Sequence, residues 1–207
     1  MPWIAENRYL TTVEMQNNAT IVWNSLTTWS DNAKAAVLGN MTFESNINPG
    51  RWEIPCTGTP ESIEEFYRDR GYYPGAGLIG WTPYTVVKDW IEDRGYDWQS
   101  QAGYDQQLAR LTWETEQGNA WWLPTAPISF LEFRTSNLPV ATLTDYFLYY
   151  RENPANPEGS RAQREQWAAY WYEYFTGVTP PTPPPTPSAG PLPLWVLWLK
   201  SNRWRLL

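Results

Sequence analysis

The chain has 207 residues, 42% of them hydrophobic and 16% aromatic, with a formal net charge of −7 at pH 7. That length holds one ordinary domain and an appendage, and the acidic balance argues against a nucleic-acid partner, because phosphate binding needs a basic face. There is no histidine and a single cysteine, Cys56, which excludes a Ser-His-Asp or Cys-His nucleophile pair, an ordinary zinc hydrolase site and an intrachain disulfide.

In chain order, Met1-Pro2-Trp3-Ile4-Ala5-Glu6 has neither the basic start nor the apolar run of a signal peptide. Thr11 and Glu14 form a capping box for a first helix running to about Trp29, and Ser30 caps a second. From Ser45 to Gly80 only Glu61 to Arg70 keeps a helical period. The flanks are rich in Pro, Gly and aromatic residues, so the stretch reads as an irregular or short β-rich insert. Helices resume with Thr82 as N-cap and Pro83 at the first helical position, burying Val86, Val87, Trp90 and Ile91 and ending at Gly95. Tyr104, Leu108, Leu111 and Thr115 stripe the next helix, closed by Gly118. Ser129 and Glu132 open a short one, Leu143, Phe147 and Tyr150 mark another, and Trp167, Trp171 and Tyr174 mark the last, from about Ser160 to Phe175. The expected architecture is a mainly α domain (α+β) over residues 1–177, with a small irregular or β lobe. Residues 178–193 follow as a Pro-rich, semi-rigid linker, and residues 194–207 as an apolar and basic C-terminal peptide. No acid follows Glu173, while Lys200, Arg203 and Arg205 make the tail cationic. Leu194 to Leu199 is too short to span a bilayer. The peptide can touch a membrane interface or dock on another protein, and a spacer that holds an aromatic tip away from a domain suits docking.

The second helix carries the residue of most chemical interest. Ala33, Val37 and Met41 share one face, Glu44 follows on it, and Asn48-Pro49-Gly50 stops the helix. Apolar neighbours and the negative end of the helix dipole both disfavour an ionised Glu44, which suits a carboxyl that donates a proton near neutral pH. The bland alternative is a Glu at a helix end whose head reaches back to water. With imidazole nucleophile pairs and an ordinary zinc site excluded, carboxylate chemistry remains for hydrolysis, and glycoside cleavage is the commonest reaction that needs nothing else.

Gly39-Asn40-Met41, Glu44-Ser45 and Ile47-Asn48-Pro49-Gly50 together resemble the active-site stretch of phage tail lysozymes. Gly77-Leu78-Ile79-Gly80-Trp81-Thr82-Pro83 is similar to that family's Gly-Leu-x-Gln-Trp-Thr segment. Phe147-Leu148-Tyr149-Tyr150-Arg151-Glu152-Asn153-Pro154-Ala155 is similar to its Phe-Glu-x-Pro-Ala segment. The three cover roughly residues 7 to 175, with one departure: Gly80 stands where the family usually has Gln. The resemblance implies a lysozyme-like fold whose insert forms one wall of a substrate cleft. It implies a muramidase in a phage virion tail, needing no metal or organic cofactor, that cleaves bacterial peptidoglycan as the virion enters its host. The implied partners are peptidoglycan and, through the C-terminal peptide, other tail proteins.

Within that reading Glu44 is the general acid. Glu53, after Trp52 in the insert, is the nearest choice for a second carboxylate and Glu61 a weaker one, although neither lies in a matching motif. Trp52, Tyr73 and Trp81 are candidate sugar-stacking rings, each with core packing as the alternative. Asn46 is a candidate for the N-acetyl group, or a turn former after the helix. Glu152 is expected to close a loop between the last two helices, and Glu114 and Glu116 to be solvated. A fold kept for wall binding without turnover, and a lytic transglycosylase using one Glu as acid and then base, stay open beside the hydrolase.

Overall fold

The computed structural model describes residues 1–154, 156–177 and 182–185. The C-terminal peptide 194–207, and the Pro-rich linker apart from 182–185, lie outside the described residues. The described part is mainly helical: α1 (Thr12–Ser25), α2 (Asp31–Ser45), α3 (Pro60–Arg70), α4 (Thr85–Glu92), α5 (Gln101–Glu114), α6 (Phe130–Thr135), α7 (Val140–Tyr146), a π-helical segment (Phe147–Glu152) and α8 (Glu158–Thr176).

Side-chain caps set most of the starts. Thr11 and Glu14 make both halves of the capping box of α1, Ser30 accepts from the Ala33 N–H at 3.1 Å, and Ser129 with Glu132 repeats the box at α6. Two boundaries differ from expectation. Helix α1 stops at Ser25 rather than near Trp29, because the chain must reverse before Ser30 to lay α2 against α1; Leu26 and Trp29 are buried in that turn. Helix α4 begins at Thr85, since the Thr82 hydroxyl donates to the Gly80 carbonyl at 3.1 Å instead of capping.

Helix α2 is the centre of the fold. The sequence suggests one buried face, but Ala35, Ala36, Leu38, Asn40 and Thr42 are buried as well as Ala33, Val37 and Met41. A helix covered all round is a core helix, and α1, α6, α7, the π segment and α8 all pack on it. Small residues bring α8 closest. A Cβ on Gly39 would lie 2.6 Å from both the Ala168 Cβ and the Arg164 carbonyl oxygen, with backbone on one side and a rigid methyl on the other. Gly39→Ala should therefore destabilise the domain by about 1–3 kcal/mol through overpacking, read as a lower denaturation midpoint with unchanged slope. Wild-type stability would mean that α8 can shift away at no cost.

The buried polar groups of α2 are satisfied within the helix and by α7 and α8. Asn40 donates to the carbonyls of Ala36 and Thr144 (2.9 and 3.2 Å), and the Trp171 indole N–H donates to the Thr42 hydroxyl at 2.8 Å. The helix closes on a left-handed cap, with the Asn46 N–H on the Thr42 carbonyl and the Ile47 N–H on that of Met41. Asn46 and Ile47 both take left-handed backbone (φ 58° and 53°). That conformation is costly for a β-branched residue, and Ile47 is held in it by complete burial and by Asn18, whose amide donates to its carbonyl at 2.8 Å.

The insert contains α3 and is otherwise irregular. Among the described residues its β content is two isolated antiparallel bridges, Trp52 with Ala76 and Ala76 with Trp81. It is tied to the helical body by buried side chains. The Ser45 hydroxyl donates to the Leu78 carbonyl at 2.8 Å, and Gln107 of α5 accepts from the Leu78 N–H (2.9 Å) while donating to the Pro49 carbonyl (3.0 Å). Gly80 has φ 59°, a left-handed position at which a side chain is strained, so glycine fits the turn as built here.

Candidate active site around Glu44

Glu44 occupies the last turn of α2, and its side chain is 14% exposed, less than its place at a helix end suggests. It is covered by an ion pair with Arg164 of α8, whose Nη2 donates to Glu44 Oε1. Arg164 is one of the most deeply buried residues of the chain. Its guanidinium is fixed on several sides: Nε donates to the Ser160 hydroxyl (3.0 Å), Nη1 to the Asn40 side-chain oxygen (2.8 Å), and its plane lies 4.4 Å from the centre of the Phe43 ring. Burial and the helix C-terminus disfavour the carboxylate form of Glu44, whereas the guanidinium favours it. The carboxyl is thus held in one place between opposing electrostatic influences.

Arg164, Asn40 and Ser160 are the site residues that the sequence reading missed. A signal for Arg164 existed: it stands three, four and seven residues before Trp167, Ala168 and Trp171, on the stripe that α8 buries. A charge on such a stripe is buried with a partner, but the spacing does not name the partner.

The other candidates are placed as follows. Glu53 is half-buried in the insert and accepts from the Tyr72 hydroxyl at 3.0 Å and the Gly75 N–H at 2.8 Å, so it ties the two sides of the insert together. Burial and the facing Glu53 push the Tyr72 hydroxyl far above its ordinary value. Trp52 is buried against Tyr84 and Trp98, and its backbone N–H donates to Asn7. Trp81 is buried with its indole N–H on Glu114 at 2.7 Å. Asn46 is buried as the left-handed cap of α2, with its amide against the Met15 sulfur. Tyr73 is the ring among the candidates that faces solvent, 37% exposed and stacked on the exposed Tyr67 with 4.5 Å between ring centres. Glu61, in the first turn of α3, is exposed. The hydrogen bonds of Glu53 run within the insert and the ion pair of Glu44 runs to α8, so these bonds do not join the two carboxylates.

One expectation is corrected. Glu114 is fully buried rather than solvated, and it accepts from Arg110 Nε (3.0 Å), Arg151 Nε (3.0 Å) and the Trp81 indole. Its place on the buried stripe of α5, three residues past Leu111 and seven past Gln107, puts it inside. Burial pushes Arg110 below its ordinary value, with Glu114 acting in the opposite direction. Glu116 is exposed and pairs with Arg134 at 3.2 Å, while Glu152 is buried at the end of the π segment.

The family model described as phage tail lysozyme matches residues 17–175, from within α1 to the end of α8. Morphogenesis protein 1 of Bacillus phage B103 is 34% identical over 175 residues, which is 84% of this chain and 43% of that protein. The chain therefore spans less than half the length of this relative.

Proposed function

The chain belongs to the phage tail lysozyme family, and from that premise we propose that it is a muramidase of a virion tail, cleaving the glycan strands of host peptidoglycan with Glu44 as general acid. The observation that carries this reading is the Glu44 carboxyl, partly open to solvent at the end of a rigid core helix and held there by Arg164. A group meant to deliver a proton to one oxygen of a bulky polymer needs that combination of access and fixed orientation. The proton passes to the glycosidic oxygen, which keeps the electrons of the breaking bond and leaves as a hydroxyl. Water adds to the anomeric carbon and supplies the proton that restores the acid.

Tyr73 supplies the exposed ring for a sugar face. Tyr73→Ala should weaken binding to purified peptidoglycan about fivefold, equivalent to ~1 kcal/mol of lost stacking, measured by co-sedimentation. Unchanged binding would remove Tyr73 from the substrate surface. Trp52 and Trp81 act from within the core by shaping the insert, and Asn46 by shaping the turn. Glu53 anchors the insert through Tyr72 and Gly75; each of its oxygens keeps a lone pair beyond these bonds, so the anchor is compatible with the second carboxylate role proposed for it.

A second reading, a wall-binding tail protein without turnover, is favoured by one observation: the Arg164 ion pair stabilises Glu44 as a carboxylate rather than an acid. The deciding experiment incubates the protein with purified peptidoglycan and identifies the products by mass spectrometry. New reducing ends support the hydrolase and anhydro ends a transglycosylase. Intact glycan bound by folded protein would overturn both in favour of the wall-binding reading.

A further inference from the structure

We propose that Arg164 is a positioning residue for the Glu44 acid, fixing which carboxyl oxygen carries the proton and stabilising the carboxylate that forms as the proton leaves. This rests on the muramidase reading above.

Four features of the structure support it. First, the guanidinium is immobilised before it reaches Glu44: Ser160 takes Nε, Asn40 takes Nη1 and Phe43 underlies the plane, so Nη2 is presented to Oε1 in one geometry. Second, the backbone that carries it is brought close by a glycine. Gly39 of α2 leaves room for the Arg164 carbonyl and Ala168, and a side chain at that position would push α8 outward. Third, Asn40 serves both helices. Its amide N–H groups are spent on the Ala36 and Thr144 carbonyls, which turns its oxygen towards Arg164. Fourth, the other cations of the helices around α2 are engaged elsewhere: Arg161 on Asp145 and Glu165, Arg151 on Glu114, and Arg134 near Glu116.

The chemistry follows from this geometry. With Oε1 accepting from Nη2, the proton of the neutral acid belongs on Oε2, and the hydrogen bond from Arg164 persists in both protonation states. As the proton moves to the glycosidic oxygen, negative charge grows on the carboxyl beside a guanidinium that is already in place and needs no reorganisation. Such preorganised stabilisation strengthens more in the transition state than in the ground state. A methionine at 164 would fill similar space without the charge, and a lysine would keep the charge but lose the planar fork that engages Ser160, Asn40 and Glu44 together.

The test compares wild type, Glu44→Gln, Arg164→Met, Arg164→Lys and Ser160→Ala on soluble peptidoglycan fragments, measuring kcat and KM and correcting for folded fraction by thermal melts. Arg164→Met should lower kcat about 100-fold with KM within about twofold, since misplacing a catalytic group by an ångström costs that much. Arg164→Lys should recover part of the loss, and added guanidinium ion should partly rescue Arg164→Met. Ser160→Ala, which frees Nε at the edge of the site, should lower kcat a few-fold and decides the matter if the Arg164 variants do not fold. A wild-type kcat in folded Arg164→Met, or a defect carried entirely by KM or by folded fraction, would overturn the assignment; so would an unchanged kcat in Ser160→Ala where the Arg164 variants fail to fold. Full turnover by Glu44→Gln would instead sink the muramidase reading, and the role of Arg164 with it.

Discussion

Glu44→Gln is expected to lower turnover of peptidoglycan by about 10²–10⁴-fold, the range supplied by a positioned general acid. The amide has nearly the shape of the carboxyl and keeps an oxygen that accepts from Arg164 Nη2, so α2 and α8 should stay in register. What disappears is the transferable proton. The structure also predicts a side effect, because Gln leaves the buried Arg164 with no facing negative charge. That costs about 1.5–3 kcal/mol, the scale of a hydrogen bond to a charged group, or about 7 °C of melting temperature for a domain of this size. Release of reducing ends and a thermal melt, run on the same preparation, separate the two effects. Loss of turnover with a modest shift in melting supports the acid. Retained turnover would mean that Glu44 serves the fold alone, as a counter-charge for Arg164.

The largest effect on stability is expected at Glu114. Its carboxylate is inaccessible to solvent and faces Arg110 and Arg151, while Trp81 reaches it from the insert. Glu114→Gln keeps acceptor capacity for one or two of these donors but removes the charge that pairs with both guanidinium groups. Breaking a buried pair by removing one partner costs about 3–5 kcal/mol, because the remaining charge is left desolvated. In a domain of this size that is a fall of about 10 °C in melting temperature, measurable by calorimetry. The flanking rings make relief by water harder, since the Arg110 guanidinium lies 4.4 Å from the centre of the Trp113 ring and 4.6 Å from that of Trp121. A shift of only a degree or two would show that Arg110 and Arg151 turn out to solvent once Glu114 is neutral. Because Trp81 is tied to the same oxygen as Arg110, the insert should loosen with the pair, which limited proteolysis between residues 71 and 84 would detect.

The phage tail lysozyme family, the α-rich fold and most helix starts are legible in the sequence, because each rests on local chemistry. Thr11 with Glu14, Ser30, and Ser129 with Glu132 satisfy orphan N–H groups within four residues of themselves, so their roles do not depend on distant parts of the chain. The stripes of Tyr104, Leu108 and Leu111, and of Trp167 and Trp171, also read correctly as buried faces. Glu44 stands out for a local reason too, as a carboxyl closing an apolar helix before Asn48-Pro49-Gly50. Three things were decided only by tertiary packing. Helix α2 is surrounded rather than one-sided, because α7 and α8, far later in the chain, pack on it as well as α1. Glu114 is inside because Arg110, Arg151 and Trp81 converge on it, and only the fold brings Arg151 and Trp81 within reach of α5. Glu44 is held by Arg164 across 120 positions of sequence. An electrostatic interaction depends on distance in space and on how much water lies between the charges, and a helical repeat reports neither for residues so far apart along the chain.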